Sequence, residues 1–491
     1  MKLTKDIYQT PLTLLTDLYQ VTMAYGYWKS GTTEKDAVFN LYFRKNPFQG
    51  GYTVAAGLEY VVDFLQNLKF GEEDLAFLAG LTGNDGKPLF EQGFLDYLRD
   101  MEFSCDIDAV PEGTVVFPNE PLLRVKGPLF QCQLIETPLL TMINFQTLIA
   151  TKAARLVMAA DGDPVLEFGM RRAQGIDGAL AASRAAYIGG CTATSNILAG
   201  KLFNIPVKGT HAHSWVMSFD SEMEAFETYA AAMPNNCIFL VDTYNTLEGV
   251  KKAIDVGKKL RDQGYEMAGI RLDSGDLAYL SIEARKLLDA SGFEKARIVA
   301  SNDLNELIIN SLKNEQHAKI DVWGVGTKLA TAYDQPALGG VYKISAIKNA
   351  EGEWDYKVKL SEQAIKVSNP GVLQVKRYYY EDGSAMADMI YDEDHMPEGD
   401  VVIVDPLDIT RRKTVSREMN SKGLLQPIFK AGKLIYDLPD IEEIRSLVHQ
   451  ELQSFHPSIK RFTNPHGYPV GLEKNLYELK NDLIMKLRGN Q

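Results

Sequence analysis

The middle of this chain alternates short apolar runs with amphipathic stretches, and that alternation constrains the possible folds more than any other feature of the sequence. The apolar runs are PVLEF (164–168), PVKGT (206–210), CIFLVDT (237–243), MAGIRLD (267–273), ARIVAS (296–301) and DVWGVGT (321–327). Short runs of this kind predict buried strands. Between two of them, TLEGVKKAIDVGKKLRDQG sets Leu247, Val250, Ile254, Val256 and Leu260 on a stripe near the helical period, with Gly264 as its stop. DLAYLSIEARKLLDASG reads the same way. Successive strands start about thirty residues apart, the length required by a parallel strand, a crossover helix and two short loops. The pattern predicts a β/α barrel or a doubly wound sheet, and both folds gather their chemistry at the carboxyl ends of the strands.

The flanks read differently. At about 150 residues per domain, 491 residues predict two or three domains. Residues 1–125 mix helices with the β-rich stretches DAVFNLYFR and TVVFPNEPLLRVKGPL. ETPLLTMINFQTLIATKAARLVMAADG reads as one long helix entering a barrel expected over 126–345. Residues 346–491 become strand-like again, with a hairpin turning on Asp382 and Gly383 in VKRYYYEDGSAMADMIY and a charged helix at DIEEIRSLVHQELQSF.

Composition narrows the class. A net charge of −13, with both signs interspersed, excludes the concentrated basic face that nucleic-acid binding needs. The four cysteines (Cys105, Cys132, Cys191, Cys237) are widely spaced with no CxxC, so neither a disulfide framework nor a zinc ribbon is expected. The amino terminus lacks the pattern of a signal peptide, and no apolar run is long enough to span a bilayer. A soluble, cytoplasmic protein with reduced thiols and no membrane contact is expected.

The expected strand ends carry EFGMRR, GTHAH, VDTYN, RLDSGD, ASND and GVGT. Helix caps account for some of their Asp, Ser, Thr and Gly residues. They do not account for Arg171, His213, Arg271 or the pair Asp273 and Asp276. His211 and His213 stand at alternate positions, and on a strand they would share a face, so one reading is a metal-dependent hydrolase. That site lacks further histidines, since none occurs between His213 and His317, and carboxylates such as Asp242 and Asp273 would suit magnesium better than zinc. GVGT offers a phosphate nest from Gly324, Gly326 and the hydroxyl of Thr327, at the last strand, where barrel phosphate sites concentrate. Arg271 suits a planar carboxylate, and Asp273 or Asp276 suits a cation or ribose hydroxyls, with one of this segment's polar residues capping the next helix. Phe168 suits stacking on a flat ring, with Arg171 or Arg172 meeting phosphate. TDLYQVTMAYGYW predicts a helix capped by Thr16 or Asp17, with most of its aromatics buried.

Taken in order, LTDLYQVTMAYGYW, EFGMRRAQG, TSNILAG, GTHAHSWVMSF, LVDTYNT, GIRLDSGDL, ASNDLNE and GVGT resemble the nicotinate phosphoribosyltransferases along nearly the whole chain. The resemblance implies a type II phosphoribosyltransferase: an irregular β/α barrel joined to an α/β domain built from N-terminal and post-barrel segments. It implies a homodimer with its active site at the subunit interface. The implied reaction joins nicotinate to phosphoribosyl diphosphate, giving nicotinate mononucleotide and diphosphate in NAD salvage. ATP hydrolysis is coupled to it through a phosphohistidine, and magnesium accompanies the phosphates.

Carried over residue by residue, the resemblance makes His213 the phosphohistidine and His211 at most a supporting group. Phe168 and the partner subunit's Tyr19 become the walls around the pyridine ring. Arg271 and Thr210 hold the nicotinate end, Arg171 meets phosphate, and Gly324, Gly326 and Thr327 take the ribose 5-phosphate. Asp242 and Asp273 are placed for ribose or magnesium. Ser195 occupies the position at which nicotinamide-using relatives carry an aspartate, which implies a preference for the acid over the amide.

Overall fold

The computed structural model describes residues 10–363 and 366–489. They divide into two compact units. One comprises residues 148–337 and 441–449; the other takes the remaining N-terminal, post-barrel and C-terminal residues. The divisions at 147/148 and 337/338 differ from the 125 and 345 expected from composition, and residues 441–449 join the unit that holds the parallel strands.

That unit is built on a six-stranded sheet in the order Ala193–Thr194, Val165–Glu167, Val322–Val325, Arg297–Ser301, Gly269–Leu272, Ile238–Leu240. Every neighbouring pair is parallel. Five of the six expected strands are present. The exception is PVKGT, which makes only an isolated bridge between Val207 and Thr194. Pro206 has no N–H to donate, so pairing is limited to Thr194 N–H with the Pro206 carbonyl and Lys208 N–H with the Thr194 carbonyl. The remaining strand is Ala193–Thr194, two residues long inside TATSN.

The helices follow their stripes. Thr246–Asp262 buries Val250, Ile254, Val256 and Leu260, and Asn245 caps it by accepting from Glu248 N–H at 3.1 Å. Leu277–Ala290 is capped by Asp276, whose carboxylate accepts from Tyr279 N–H at 3.0 Å. Asp276 is therefore the capping residue of RLDSGD, and Asp273 is released for other work.

The other unit joins distant parts of the chain. Its seven-stranded antiparallel sheet places the N-terminal strands Asp36–Tyr42, Leu123–Pro128 and Asp106–Ala109 between the later strands Val341–Lys348 and Gln426–Lys430. A second sheet contains the expected hairpin, Leu373–Tyr379 with Ala385–Asp392, and Gly383 adopts φ +81° in its turn. The α/β domain is thus assembled from segments on both sides of the parallel strands. All four cysteines are free and buried. Among the described residues, no helix is long and apolar enough to cross a membrane.

The helix Leu18–Ser30 departs from expectation. Asp17 occupies its cap position, but Tyr25, Tyr27 and Trp28 are only half-buried and Tyr19 is 50% exposed. Its buried side chains are Gln20, Val21 and Ala24, a single narrow face. Tyr25 and Trp28 lie over Phe94 at its edge, so the aromatics cover a seam instead of filling a core.

Candidate active site

Arg271, at the carboxyl end of Gly269–Leu272, is held on several sides. Its Nε donates to Ser301 Oγ at 2.9 Å, Nη1 to Thr210 Oγ1 at 2.7 Å, and Nη2 to Asp273 Oδ1 at 3.2 Å. Nη1 also reaches the His211 carbonyl at 3.4 Å. A guanidinium has five N–H donors, so these contacts fix its plane and leave an Nη2 hydrogen for a ligand. Ser301 closes the ring by donating to Asp273 Oδ1. Burial alone would raise the Asp273 carboxyl, but the Ser301 hydroxyl and the Arg271 charge outweigh it and hold the group below its ordinary range. Asp273 Oδ2 takes no part in these bonds.

Beside this cluster, Asp242 has a buried side chain and acts as a second hub. Its Oδ2 accepts from Asp273 N–H at 2.8 Å and Ser274 Oγ at 2.7 Å, and its Oδ1 lies 3.2 Å from His213 Nε2. His213 itself is partly open, with 37% of its side chain exposed against 1% for Asp242. A buried carboxylate on one ring nitrogen orients the imidazole and directs the other nitrogen outward.

His211 faces elsewhere. Its Nε2 accepts from Leu240 N–H at 3.2 Å, and its ring packs against Tyr229 at 4.8 Å and Phe226 at 6.1 Å. Burial drives its pKa down to about 4, so it is a neutral structural acceptor at pH 7. The two histidines do not converge, and no group of three or more His, Cys, Asp or Glu residues that could hold a metal occurs among the described residues. The alternation argument fails because the chain has left the sheet by Lys208 and begins a helix, His213–Met217. The period of two therefore no longer applies.

Phe168, half-buried, follows Val165–Glu167 and lies over Gly324. A Cβ at Gly324 would stand 2.8 Å from Phe168 Cδ2, so a side chain there would displace the ring. Phe168 and Thr210 line one end of a cavity of about 470 Å³ that continues past Leu166 and Val299 to Arg297. Gly326 precedes the short helix Thr327–Ala330, and both Gly326 and Thr327 are partly accessible. Arg171 and Arg172 are exposed on a single turn, Met170–Arg172. Ser195 is half-buried beyond Ala193–Thr194, its N–H donating to the Glu167 carbonyl at 2.9 Å. Tyr19 lies on the helix of the other unit described above.

Three family models match in chain order: the nicotinate phosphoribosyltransferase N-terminal domain over residues 14–144, the family's main model over 164–369 and its C-terminal domain over 373–480. A nicotinate phosphoribosyltransferase of Bacillus subtilis is 45% identical, covering 97% of this chain and 96% of its own. The chain belongs to the nicotinate phosphoribosyltransferase family. The crystal structure of human nicotinic acid phosphoribosyltransferase superposes with a TM-score of 0.83 at 34% identity, covering 95% of this chain and 99% of that one. A nicotinate-nucleotide pyrophosphorylase from Pyrococcus furiosus shares the fold at a TM-score of 0.67 and 22% identity, covering 90% and 96%. This kinship and the divergence of the two histidines together remove the hydrolase reading.

Several residues of this nicotinate phosphoribosyltransferase site lay outside the sequence-based selection. Ser301 and Ser274 carry no signal of their own, because serine at a strand end reads as a cap. Asn302 adopts φ +136°, a conformation that non-glycine residues rarely hold, and its side-chain oxygen accepts from Asp303 N–H at 2.8 Å. Glu167 reads as an ordinary strand residue, yet it is completely buried.

Proposed function

We propose that the protein transfers the phosphoribosyl group of phosphoribosyl diphosphate to the ring nitrogen of nicotinate. The bond from ribose C1 to the diphosphate oxygen breaks, the bond from C1 to the pyridine nitrogen forms, and diphosphate leaves. The observation that carries this reading is the immobilised guanidinium of Arg271 at the strand ends, a fit for a carboxylate and a poor one for a neutral amide. Phe168 offers the ring a stacking face, and Arg171, Gly324, Gly326 and Thr327 supply the phosphate side. The rate then comes mainly from positioning and from stabilising charge as the sugar becomes oxocarbenium-like.

Magnesium fits the donor set as a shared ligand. The described residues form no cage of carboxylates, but Asp273 keeps one oxygen outside its own network, and magnesium commonly takes one or two carboxylates together with substrate phosphates. When bound, it would neutralise charge on the departing diphosphate.

ATP enters as a second substrate. Asp242 holds His213 through Nε2, which leaves Nδ1 to attack the γ-phosphorus; ADP departs, and water later releases phosphate from the histidine. Replacing His213 by alanine is expected to remove ATP hydrolysis and to reduce ATP-stimulated synthesis about tenfold or more, while ATP-independent turnover persists. Product formation from nicotinate and phosphoribosyl diphosphate, followed with and without ATP, tests this; a variant that keeps ATP stimulation removes the phosphohistidine role.

Ser195 sets acid against amide. A carboxylate at this position would repel nicotinate, so Ser195→Asp is expected to lower the nicotinate-to-nicotinamide ratio of kcat/KM at least about tenfold. An unchanged ratio in competition assays removes Ser195 from the specificity site.

The active protein is a homodimer in this reading, with Tyr19 lent to the partner's pyridine site. The exposure of Tyr19 beside exposed Leu15 and Leu18 supports it. The four unpaired cysteines support a cytoplasmic setting.

A further inference from the structure

Strand alternation sends Leu166 and Phe168 toward the cavity and Glu167 to the opposite face, among the helices that cover the sheet. An aliphatic side chain is the ordinary occupant of that layer. Here a carboxylate sits in it at 1% exposure. Glu167 Oε2 accepts from Thr194 Oγ1 at 2.6 Å and from Ser183 Oγ at 2.9 Å, and Oε1 accepts from Gly169 N–H. Asn196 extends the network: its N–H donates to Thr194 Oγ1 at 3.0 Å and its side-chain amide to Ser183 Oγ at 3.2 Å. Ser183, Thr194 and Asn196 are all as buried as Glu167.

The connectivity gives this network its purpose. Phe168 lies between Glu167 and Gly169, and both are anchored at the carboxylate. Ser195 lies between Thr194 and Asn196, and both belong to the same network. Glu167 pairs with Thr194 in the parallel register, so Phe168 and Ser195 leave neighbouring strands side by side. Little slack remains around them, because a Cβ on Gly169 would stand 2.4 Å from Ala330 Cβ and 2.8 Å from the Gly326 carbonyl.

We infer that Glu167 is a positioning residue that sets the separation of Phe168 and Ser195, and through them the fit of the pyridine acid. It touches no substrate. A hydrocarbon in its place would hold helix to sheet but would take the acceptor from Gly169 N–H and the short partner from the Thr194 hydroxyl, leaving Ser183 to its other acceptor, the Ala179 carbonyl at 2.9 Å. The inference rests on the transferase reading above.

Two variants test it. Glu167→Gln keeps size but replaces one acceptor oxygen by an NH₂ group, and Thr194→Val removes one donor while the charge stays. Glu167→Gln is expected to raise the nicotinate KM about tenfold and to lower the nicotinate-to-nicotinamide ratio by a similar factor, the scale of a hydrogen bond to a charged group. Thr194→Val should move both quantities in the same direction by about threefold. Thermal melting of each variant is recorded beside the kinetics. If both variants, or Thr194→Val alone should Glu167→Gln fail to fold, show lower melting temperatures with KM and selectivity unchanged, Glu167 is structural only and the inference is overturned. If the unaltered protein forms no nicotinate mononucleotide in the same assay, the transferase reading itself has failed.

Discussion

Arg271→Ala is expected to lower kcat/KM for nicotinate about a thousandfold, close to 4 kcal/mol of transition-state stabilisation. Two losses add. The substrate carboxylate loses a charged, oriented donor, an interaction of about 1.5–3 kcal/mol for a hydrogen bond to a charged group. Asp273, Ser301 and Thr210 lose their common partner, so Asp273 remains partly buried without the guanidinium that holds its carboxyl down. Arg271→Lys should recover only a small part of the loss, because an ammonium cannot meet Ser301, Thr210 and Asp273 in one plane. Steady-state kinetics with nicotinate varied at saturating phosphoribosyl diphosphate reads the effect. A fall of less than about tenfold in Arg271→Ala would detach the guanidinium from substrate recognition.

The largest effect on stability belongs to Arg377, on the hairpin strand Leu373–Tyr379 of the unit built from N-terminal and post-barrel segments. Its guanidinium is completely buried, donating to Asp388 at 2.6 Å and 2.9 Å, to Glu451 at 2.8 Å and to the Val115 carbonyl at 2.7 Å. The ring of Phe455 lies 4.9 Å from it. Glu120 is buried nearby, and burial, reinforced by the charge of Asp388, pushes its carboxyl well above the ordinary range. Without Arg377 the carboxylates of Asp388 and Glu451 lose the cation they share. Removing one partner of a buried ion pair costs about 3–5 kcal/mol, so Arg377→Ala should destabilise the protein by that amount. Chemical denaturation followed by fluorescence measures it. A cost below about 1 kcal/mol would mean that water or rearrangement solvates the pocket, contrary to its burial.

How much of this was legible beforehand follows the range of the interactions involved. The strands at 165–167, 238–240, 269–272, 297–301 and 322–325 could be read because each is an apolar run bounded by turn residues. The helices after Asn245 and Asp276 could be read from their stripes and caps. Ala193–Thr194 could not, since two residues carry no period, and Pro206 denied PVKGT the pairing its apolar content suggested.

The site divides along the same line. The residue types at the strand ends, Arg171, His213, Asp242, Arg271 and Asp273 among them, were visible as a concentration of chemistry beyond what caps require. Their division of labour was not. HxH spacing could not show that His211 turns inward to Leu240 N–H while His213 turns to Asp242. RLDSGD left the cap open between neighbours until Asp276 was found on Tyr279 N–H. Glu167 was invisible because its donors at Ser183 and Thr194 lie 16 and 27 residues away.

The sequence by itself determined the parallel βα core, the hairpin at Gly383, the chemical character of the strand ends and the family to which they point. These rest on periodicity and turn chemistry, which act over a few residues. Only the tertiary structure decided which groups meet: Asp242 with His213, Arg271 with Thr210 across 61 residues, and Asn40 with Ser345 across 305. Partners so far apart leave no local pattern, because their pairing is selected by burial of the whole sheet and helix layers and not by neighbours along the chain.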